Sequence, residues 1–308
     1  MRHTPGWMFG VILSLTVAAR GEPPMPAMPA PLQSYDVGTL HVDRFGKGER
    51  AVVLIPGLAS GAWVWGGVIG RLSPDYSVHV ITLPGFDGRA SVKEESLFAA
   101  FKRDFWEMLK SQKIEKPVVI GHSLGGTLAI AVGEEHPELL AGVVAADGMP
   151  LFPDFASVTA DQRKALAGQM AATFEKMSKD ELLTAMKNYM SNVGTNKREL
   201  IEPTAKLMAR SDPKAMAAWT QEDTAIDLRA DLGKMTIPLL VVMPFDVSEA
   251  LQFGAVSANK KTELYKELLK GAPQAKVAEI SPSLHFMMLD QPDAFGKMVD
   301  GFLTELRK

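Results

Sequence analysis

The chain has no cysteine among its 308 residues. That absence excludes disulfides, thiolate zinc sites, iron–sulfur clusters and a cysteine nucleophile. A surplus of one charge is also missing. Against 36 acidic residues stand 33 basic ones, for a formal net charge of −3, and no five like charges run together. A nucleic-acid surface is therefore not indicated, and none is expected as a partner. No apolar run reaches the roughly 20 residues a membrane-spanning helix requires. No repeat recurs at periods of about 20 to 50 residues. No two histidines have the four-residue helical spacing of a zinc peptidase, so no metal ligands are expected. What remains is ordinary globular composition, 46% hydrophobic and 22% charged. The length suffices for one large domain with a substantial core.

The amino end stands apart. Arg2 and His3 give a short basic start, and Trp7 to Ala19 is an uncharged, mostly apolar run. Val17 and Ala19 occupy the −3 and −1 positions of a cleavage before Arg20, so residues 1–19 read as a secretory signal. Export to the periplasm or medium is the resulting expectation; an uncleaved signal serving as a membrane anchor is the alternative. Residues 20–33 hold five prolines between Pro23 and Pro31 and read as an extended spacer.

From residue 34 onward, strand and helix signals alternate. Tyr35–Val37 and Leu40–Phe45 form a hairpin pattern around Gly38. Ala51–Ile55, Val78–Thr82, Lys116–Ile120 and Gly142–Ala146 are short apolar runs bounded by Gly or Pro, as strands buried on both faces are. Leu97, Phe98, Phe101, Phe105, Met108 and Leu109 recur at helical spacing. Residues 151 to about 229 differ. They carry helical periodicity without a convincing strand, and Asp212-Pro213 marks a helix start. Strand patterns resume at Ile237–Met243 and Lys276–Ile280, before a closing amphipathic helix through Phe295, Val299 and Phe302. The predicted class is α/β: a mainly parallel sheet flanked by helices, with a helical cap inserted at about 151–229.

The strongest local signal is Gly121-His122-Ser123-Leu124-Gly125-Gly126, between a buried strand and a small-residue helix. A chain that turns sharply from strand to helix at Ser123 needs glycine at 121 and 125, where a side chain would strike backbone. Ser123 is then presented above the sheet at a helix amino end, where N–H groups favour negative charge. A serine hydroxyl needs a base, usually histidine. His3 lies in the leader. His41 and His79 fall within strand patterns, His136 at a helix end. His122 neighbours the serine but points to the other side of the turn, which suits orientation or packing. His285 remains, in the loop after the last strand.

These segments resemble the α/β-hydrolase superfamily, in its capped, esterase-like branch, from about residue 40 to 308. Gly121-His122-Ser123-Leu124-Gly125 is similar to that family's nucleophile elbow and Leu54-Ile55-Pro56-Gly57-Leu58 to its oxyanion loop. Leu83-Pro84-Gly85-Phe86-Asp87-Gly88 is similar to its G-x-G loop, and Leu284-His285-Phe286 to its catalytic histidine segment. The resemblance implies a Ser123–His285–acid triad acting on carboxylic esters through an acyl-enzyme, without cofactor. It implies an oxyanion hole from the N–H groups of Leu58 and Leu124. For the acid it points to Asp246, after the strand that follows the cap, although Met243 stands where the family usually has glycine. Asp147, after an earlier strand, is the alternative acid. Asp290 reads as a helix-start residue. Methionines in the cap, with Phe174, Tyr189 and Trp219, and Trp63 and Trp65 beyond the oxyanion loop, fit either an apolar pocket or ordinary packing. The expected partner is a small apolar ester. Lactone, thioester or peptide amino-end hydrolysis, perhydrolysis and acyl transfer use the same triad. A binding or sensor protein without turnover is the reading from a different class.

Overall fold

The computed structural model describes Met25 and residues 28–248 and 257–307. The signal expected over 1–19 lies outside the described residues. Of the 20–33 spacer, residues 28–31 carry neither helix nor strand, and Gln33 already begins the first strand.

Eight strands form one sheet: β1 (Gln33–Val37), β2 (Leu40–Phe45), β3 (Arg50–Ile55), β4 (Tyr76–Thr82), β5 (Val118–His122), β6 (Gly142–Ala146), β7 (Leu239–Pro244) and β8 (Lys276–Ile280). Their spatial order is β1-β2-β4-β3-β5-β6-β7-β8. The β1–β2 hairpin turns at Gly38, where φ is +55°, and β2 runs antiparallel to β4. Every later pairing is parallel. The central runs Val52–Ile55, Val118–Ile120 and Val143–Ala146 are buried on both faces, which is why they read as unbroken apolar stretches. The strand anticipated to stop at Ile120 continues through Gly121 and His122. Those two residues pair with Ala145 and Ala146 of β6.

This strand order has a switch point. From β3 the chain moves outward to β4, then crosses back over β3 to β5 and proceeds the other way. Crevices at the carboxyl ends of strands open where such a reversal occurs. Here the reversal lies between β3 and β5, whose ends are in register at Ile55 and Gly121. The two loops leaving those ends carry Leu58 and Ser123.

Helices α1 (Gly66–Leu72), α2 (Leu97–Ser111) and α3 (Leu124–Glu135) and the closing helix Pro292–Glu305 flank the sheet. Each apolar residue singled out for α2 is buried. Between β6 and β7 stand four helices, α4 (Ala160–Glu175), α5 (Lys179–Tyr189), α6 (Arg198–Met208) and α7 (Pro213–Ala225). Thr159 with Gln162, and Ser178 with Glu181, close capping boxes at α4 and α5. Asp212 caps α7 and accepts from the Lys214 N–H, as its Asp-Pro sequence suggested.

The insertion is tied to the body at several points. Glu222 of α7 caps α2, accepting from the Ser96 hydroxyl (2.7 Å) and the N–H groups of Leu97 (2.6 Å) and Phe98 (3.0 Å). The Asp212 N–H donates to Gly85 O at 2.7 Å, and the Trp219 indole N–H donates to Pro84 O at 3.2 Å. Among the described residues, no helix is long and apolar enough to cross a membrane.

Candidate active site

The geometry begins with Ser123. Its φ is +54° and ψ −124°, a conformation an L-residue adopts only under strong constraint. The surroundings supply that constraint. A Cβ at Gly121 would sit 2.0 Å from Gly125 O, and one at Gly125 would sit 2.2 Å from Ile55 O. Any larger residue at either position pushes the turn apart. The Ser123 N–H donates to Ala146 O at 2.9 Å, tying the turn to the neighbouring strand, while Gly126 and Thr127 donate back to Ser123 O. Leu124 is the first residue of α3, so its N–H has no partner within the helix. Leu58 lines the same cavity. Its loop lies against the nucleophile turn, for a Cβ at Gly57 would be 3.0 Å from Ser123 Cβ.

His285 lies in the loop after β8. Its Nδ1–H donates to Asp147 Oδ2 at 2.6 Å. Asp147 is the residue directly beyond β6, held at φ +50°, and its N–H donates to Val242 O at 2.8 Å. The Tyr265 hydroxyl donates to its other oxygen. Burial alone would raise the Asp147 carboxyl. The hydrogen bond and charge of His285, the Lys261 charge and the Tyr265 hydroxyl outweigh it and hold Asp147 well below the usual carboxylate range.

Asp246 is elsewhere, contrary to the expectation the resemblance gave. Its Oδ1 accepts from the Ser248 N–H (2.8 Å) and hydroxyl (2.5 Å), and its Oδ2 from Asn196 Nδ2 at 3.5 Å. The reason is where the two strands end. Ala146 and Val242 are register partners, so β7 continues past the level of Asp147 and delivers Asp246 four residues further on, into its own turn. Met243, where glycine is usual in the resembled family, was the signal that this turn differs.

Ser123 and His285 line one cavity, together with Asp147 and Leu58. Among the described residues, the hydrogen bonds do not include one from Ser123 Oγ to the imidazole. In unliganded sites such bonds are often long and tighten with substrate.

His122 is fully buried, and its Nε2–H donates to the backbone carbonyl of His285 at 3.0 Å. Burial pushes this histidine down to about 3, helped by the His285 charge and opposed by Asp147 and the hydrogen bond, so it is neutral at ordinary pH. The hydrogen bond ties the nucleophile turn to the histidine loop. Trp65 packs edge-on to it and Trp63 stacks on Phe286. Both tryptophans are buried. They support the histidine loop from beneath and do not line the cavity. His41 pairs with Asp36, His79 with Tyr35 and Ser77, and His136 with Glu138.

Asp290 is not a helix-start residue. It ends the short helix Met287–Asp290 and is buried, and the next helix is capped at Gln291. Its carboxylate accepts from the Thr195 hydroxyl and the Leu284 N–H, joining the insertion to the histidine loop. That bridging role had no sequence signal.

The cavity measures about 630 Å³. The insertion contributes Met170, Phe174, Met186, Tyr189, Met208 and Met216 to its walls. The remaining cap methionines, Met177 and Met190, and Trp219 pack into the core. Tyr189 stands edge-on to the His285 ring at 6.1 Å between centroids. Among the described residues, no cluster of three or more metal-ligating side chains occurs.

Comparison with known proteins follows the same line. The model of a family described as "Alpha/beta hydrolase family" matches residues 52–297. The pimeloyl-[acyl-carrier protein] methyl ester esterase of Yersinia pseudotuberculosis is 21% identical over 269 residues, covering 85% of this chain and 96% of that protein. Among solved structures, MenH from S. aureus superposes with a TM-score of 0.71 at 18% identity, covering 87% of this chain and 99% of that one. A thermophilic esterase from Thermogutta terrifontis gives a TM-score of 0.69 at 20% identity, covering 90% and 100%. At such identities the structural matches speak for the fold.

Proposed function

Because the chain belongs to the alpha/beta hydrolase family, we propose that it is a serine hydrolase of carboxylic esters, with Ser123 as nucleophile, His285 as base and Asp147 as the acid that holds the base. The observation that carries this reading is the His285–Asp147 hydrogen bond at 2.6 Å, on the cavity that Ser123 also lines. An ionised carboxylate accepts at Nδ1, so the neutral imidazole keeps its proton there and leaves Nε2 free as base. Ser123 Oγ attacks the ester carbonyl and His285 Nε2 takes its proton. The oxyanion is held by the N–H groups of Leu124 and Leu58, each such donor being worth on the order of 100- to 1000-fold in turnover. The same imidazolium protonates the departing alcohol. Water, activated by His285, then frees the acid from Ser123.

The apolar walls favour a small apolar ester, and the distant likeness to a methyl ester esterase supports ester over other acyl chemistry. The test is covalent labelling. A fluorophosphonate probe is expected to modify Ser123, and Ser123→Ala to lose both the labelling and the hydrolysis of p-nitrophenyl esters. Labelling that persists in Ser123→Ala refutes the assignment. We also propose that the chain is exported, on the pattern of residues 1–19. A secreted form that still begins at Met1 refutes cleavage before Arg20.

A further inference from the structure

Besides the Ser123, His285 and Asp147 side chains, the cavity wall carries a second polar patch. Asp223 and Thr220 lie one turn apart on α7, and Thr127 lies one turn beyond Ser123 on α3; all three line the cavity. Among the described residues, Asp223 Oδ1 and Thr220 Oγ1 are shielded from bulk water and have no hydrogen-bond partner. Native proteins rarely leave buried polar atoms unpaired, and such atoms at a cavity wall are the usual mark of a ligand that completes them. Packing alone would place apolar side chains there, as Met208 and Met216 are placed on the same walls. Burial pushes the Asp223 carboxyl up to about 7, although the Thr127 hydroxyl and the His285 charge act to lower it. Thr127, which hydrogen-bonds to Asp223, lies one turn from Ser123 on the cavity that all three line.

We propose that Asp223, with Thr220, forms a specificity site that takes a hydrogen-bond-donating substituent of the substrate, a hydroxyl or an ammonium group, borne within a few bonds of the scissile carbonyl. This deepens the esterase reading and rests on Ser123 being the nucleophile. A donor in this position meets the unpaired oxygens, a methyl group leaves them unpaired, and a carboxylate is repelled. Because Thr127 is one turn from Ser123 on the same wall, the test places the substituent on the third carbon of the acyl chain.

The test uses the full chain and three p-nitrophenyl esters: 3-methylbutyrate, 3-hydroxybutyrate and 3-ammoniobutyrate, with each rate divided by that of hydroxide-catalysed hydrolysis. At least one donor ester is expected to exceed the methyl ester in kcat/KM by about tenfold or more. That ratio is expected to fall toward one in Asp223→Leu. Asp223→Asn serves as the milder variant should the leucine chain not fold: it keeps a preference for the hydroxyl and loses one for the ammonium. A ratio near one in the native chain, or one unchanged in both variants, overturns the inference and leaves the esterase reading standing. Absence of hydrolysis of all three esters together with absence of fluorophosphonate labelling strikes that reading instead. Binding of the corresponding methyl esters to Ser123→Ala, followed by calorimetry, needs no turnover. Equal affinity for the donor and methyl compounds there overturns the inference by itself.

Discussion

Ser123 and Asp147 are neighbours across two parallel strands, each the first residue beyond its strand. His122 and Ala146, the last residues of β5 and β6, are register partners, and the Ser123 N–H donates to Ala146 O. Both residues have positive φ, +54° and +50°. The sheet thus lifts a hydroxyl and a carboxylate out of the same edge at the same level, and His285 descends from the far side of the fold to the carboxylate.

That arrangement separates the two aspartates by experiment. Asp147→Asn is expected to reduce kcat for a p-nitrophenyl ester by on the order of 1,000- to 10,000-fold, since the amide no longer fixes the Nδ1–H tautomer. Asp246→Asn, which disturbs only a turn with Ser248 and Asn196, is expected to stay within about threefold. Steady-state kinetics on the two purified variants decide. The reverse ranking would return the acid role to Asp246.

His122 acts through the loop it holds. Removing its Nε2–H frees the His285 carbonyl from its 3.0 Å hydrogen bond. His122→Ala is expected to lower kcat by about tenfold with a much smaller change in KM, as loss of one buried hydrogen bond does. His122→Gln, which can still present an N–H, is expected to recover part of the loss. A fall confined to KM would contradict a positioning role.

The nucleophile turn has no room to spare. Gly121→Ala puts a methyl group 2.0 Å from Gly125 O, and backbone on both sides prevents relief. The expected cost is at least about 3 kcal/mol, in the range of severe overpacking. For a chain of this size that is a fall in Tm of about 6 °C or more. Thermal unfolding by circular dichroism measures it.

Glu134, on α3, offers a pH experiment. Burial, with Asp231 adding to it, pushes this carboxyl from 4.5 up to about 8, against Lys234 and Lys102, and among the described residues its Oε1 has no partner. The folded chain therefore holds a proton that the unfolded chain releases. Stability from this group is fully present below about pH 4.5 and is lost as pH rises through about 8. Glu134→Gln removes the loss. Its advantage over the native chain is expected to be small at about pH 5 and to grow by about pH 9, by about 1 to 2 kcal/mol once solvent screening of this partly accessible group is allowed for. Denaturant midpoints at the two pH values check this, and a constant difference would refute it.

Much of the architecture was legible because buried parallel strands advertise themselves. Gly142–Ala146, buried throughout, has the bounds its apolar run implies, and the edge strand Lys276–Ile280, buried only at Ile280, also keeps its bounds. The elbow was legible for a steric reason, since few other turns demand glycines two residues either side of a serine. The acid was not. Chain order cannot say how many residues past the sheet edge a loop carries its carboxylate; the hydrogen bond to His285 singles out Asp147, and the Ala146–Val242 register shows how Asp246 is carried past it. Asp223 was equally hidden, in a helix whose apolar periodicity is faint. Its role depends on which face α7 turns to the cavity. Asp290 misled because an aspartate before Gln-Pro resembles a cap, whereas its oxygens are spent on Thr195 and Leu284.

Met190–Gly194 closes the insertion's second helix as a π-helical turn, and the backbone N–H groups of His285 and Phe286 donate to Val193 O and Gly194 O at 3.1 and 2.8 Å. The histidine we propose as general base is therefore suspended partly from the insertion itself. Swinging that layer aside like a hinged cover would drag the imidazole off its aspartate. Grafting a foreign insertion onto this sheet would have to reproduce those two carbonyls before the imidazole returned to its aspartate.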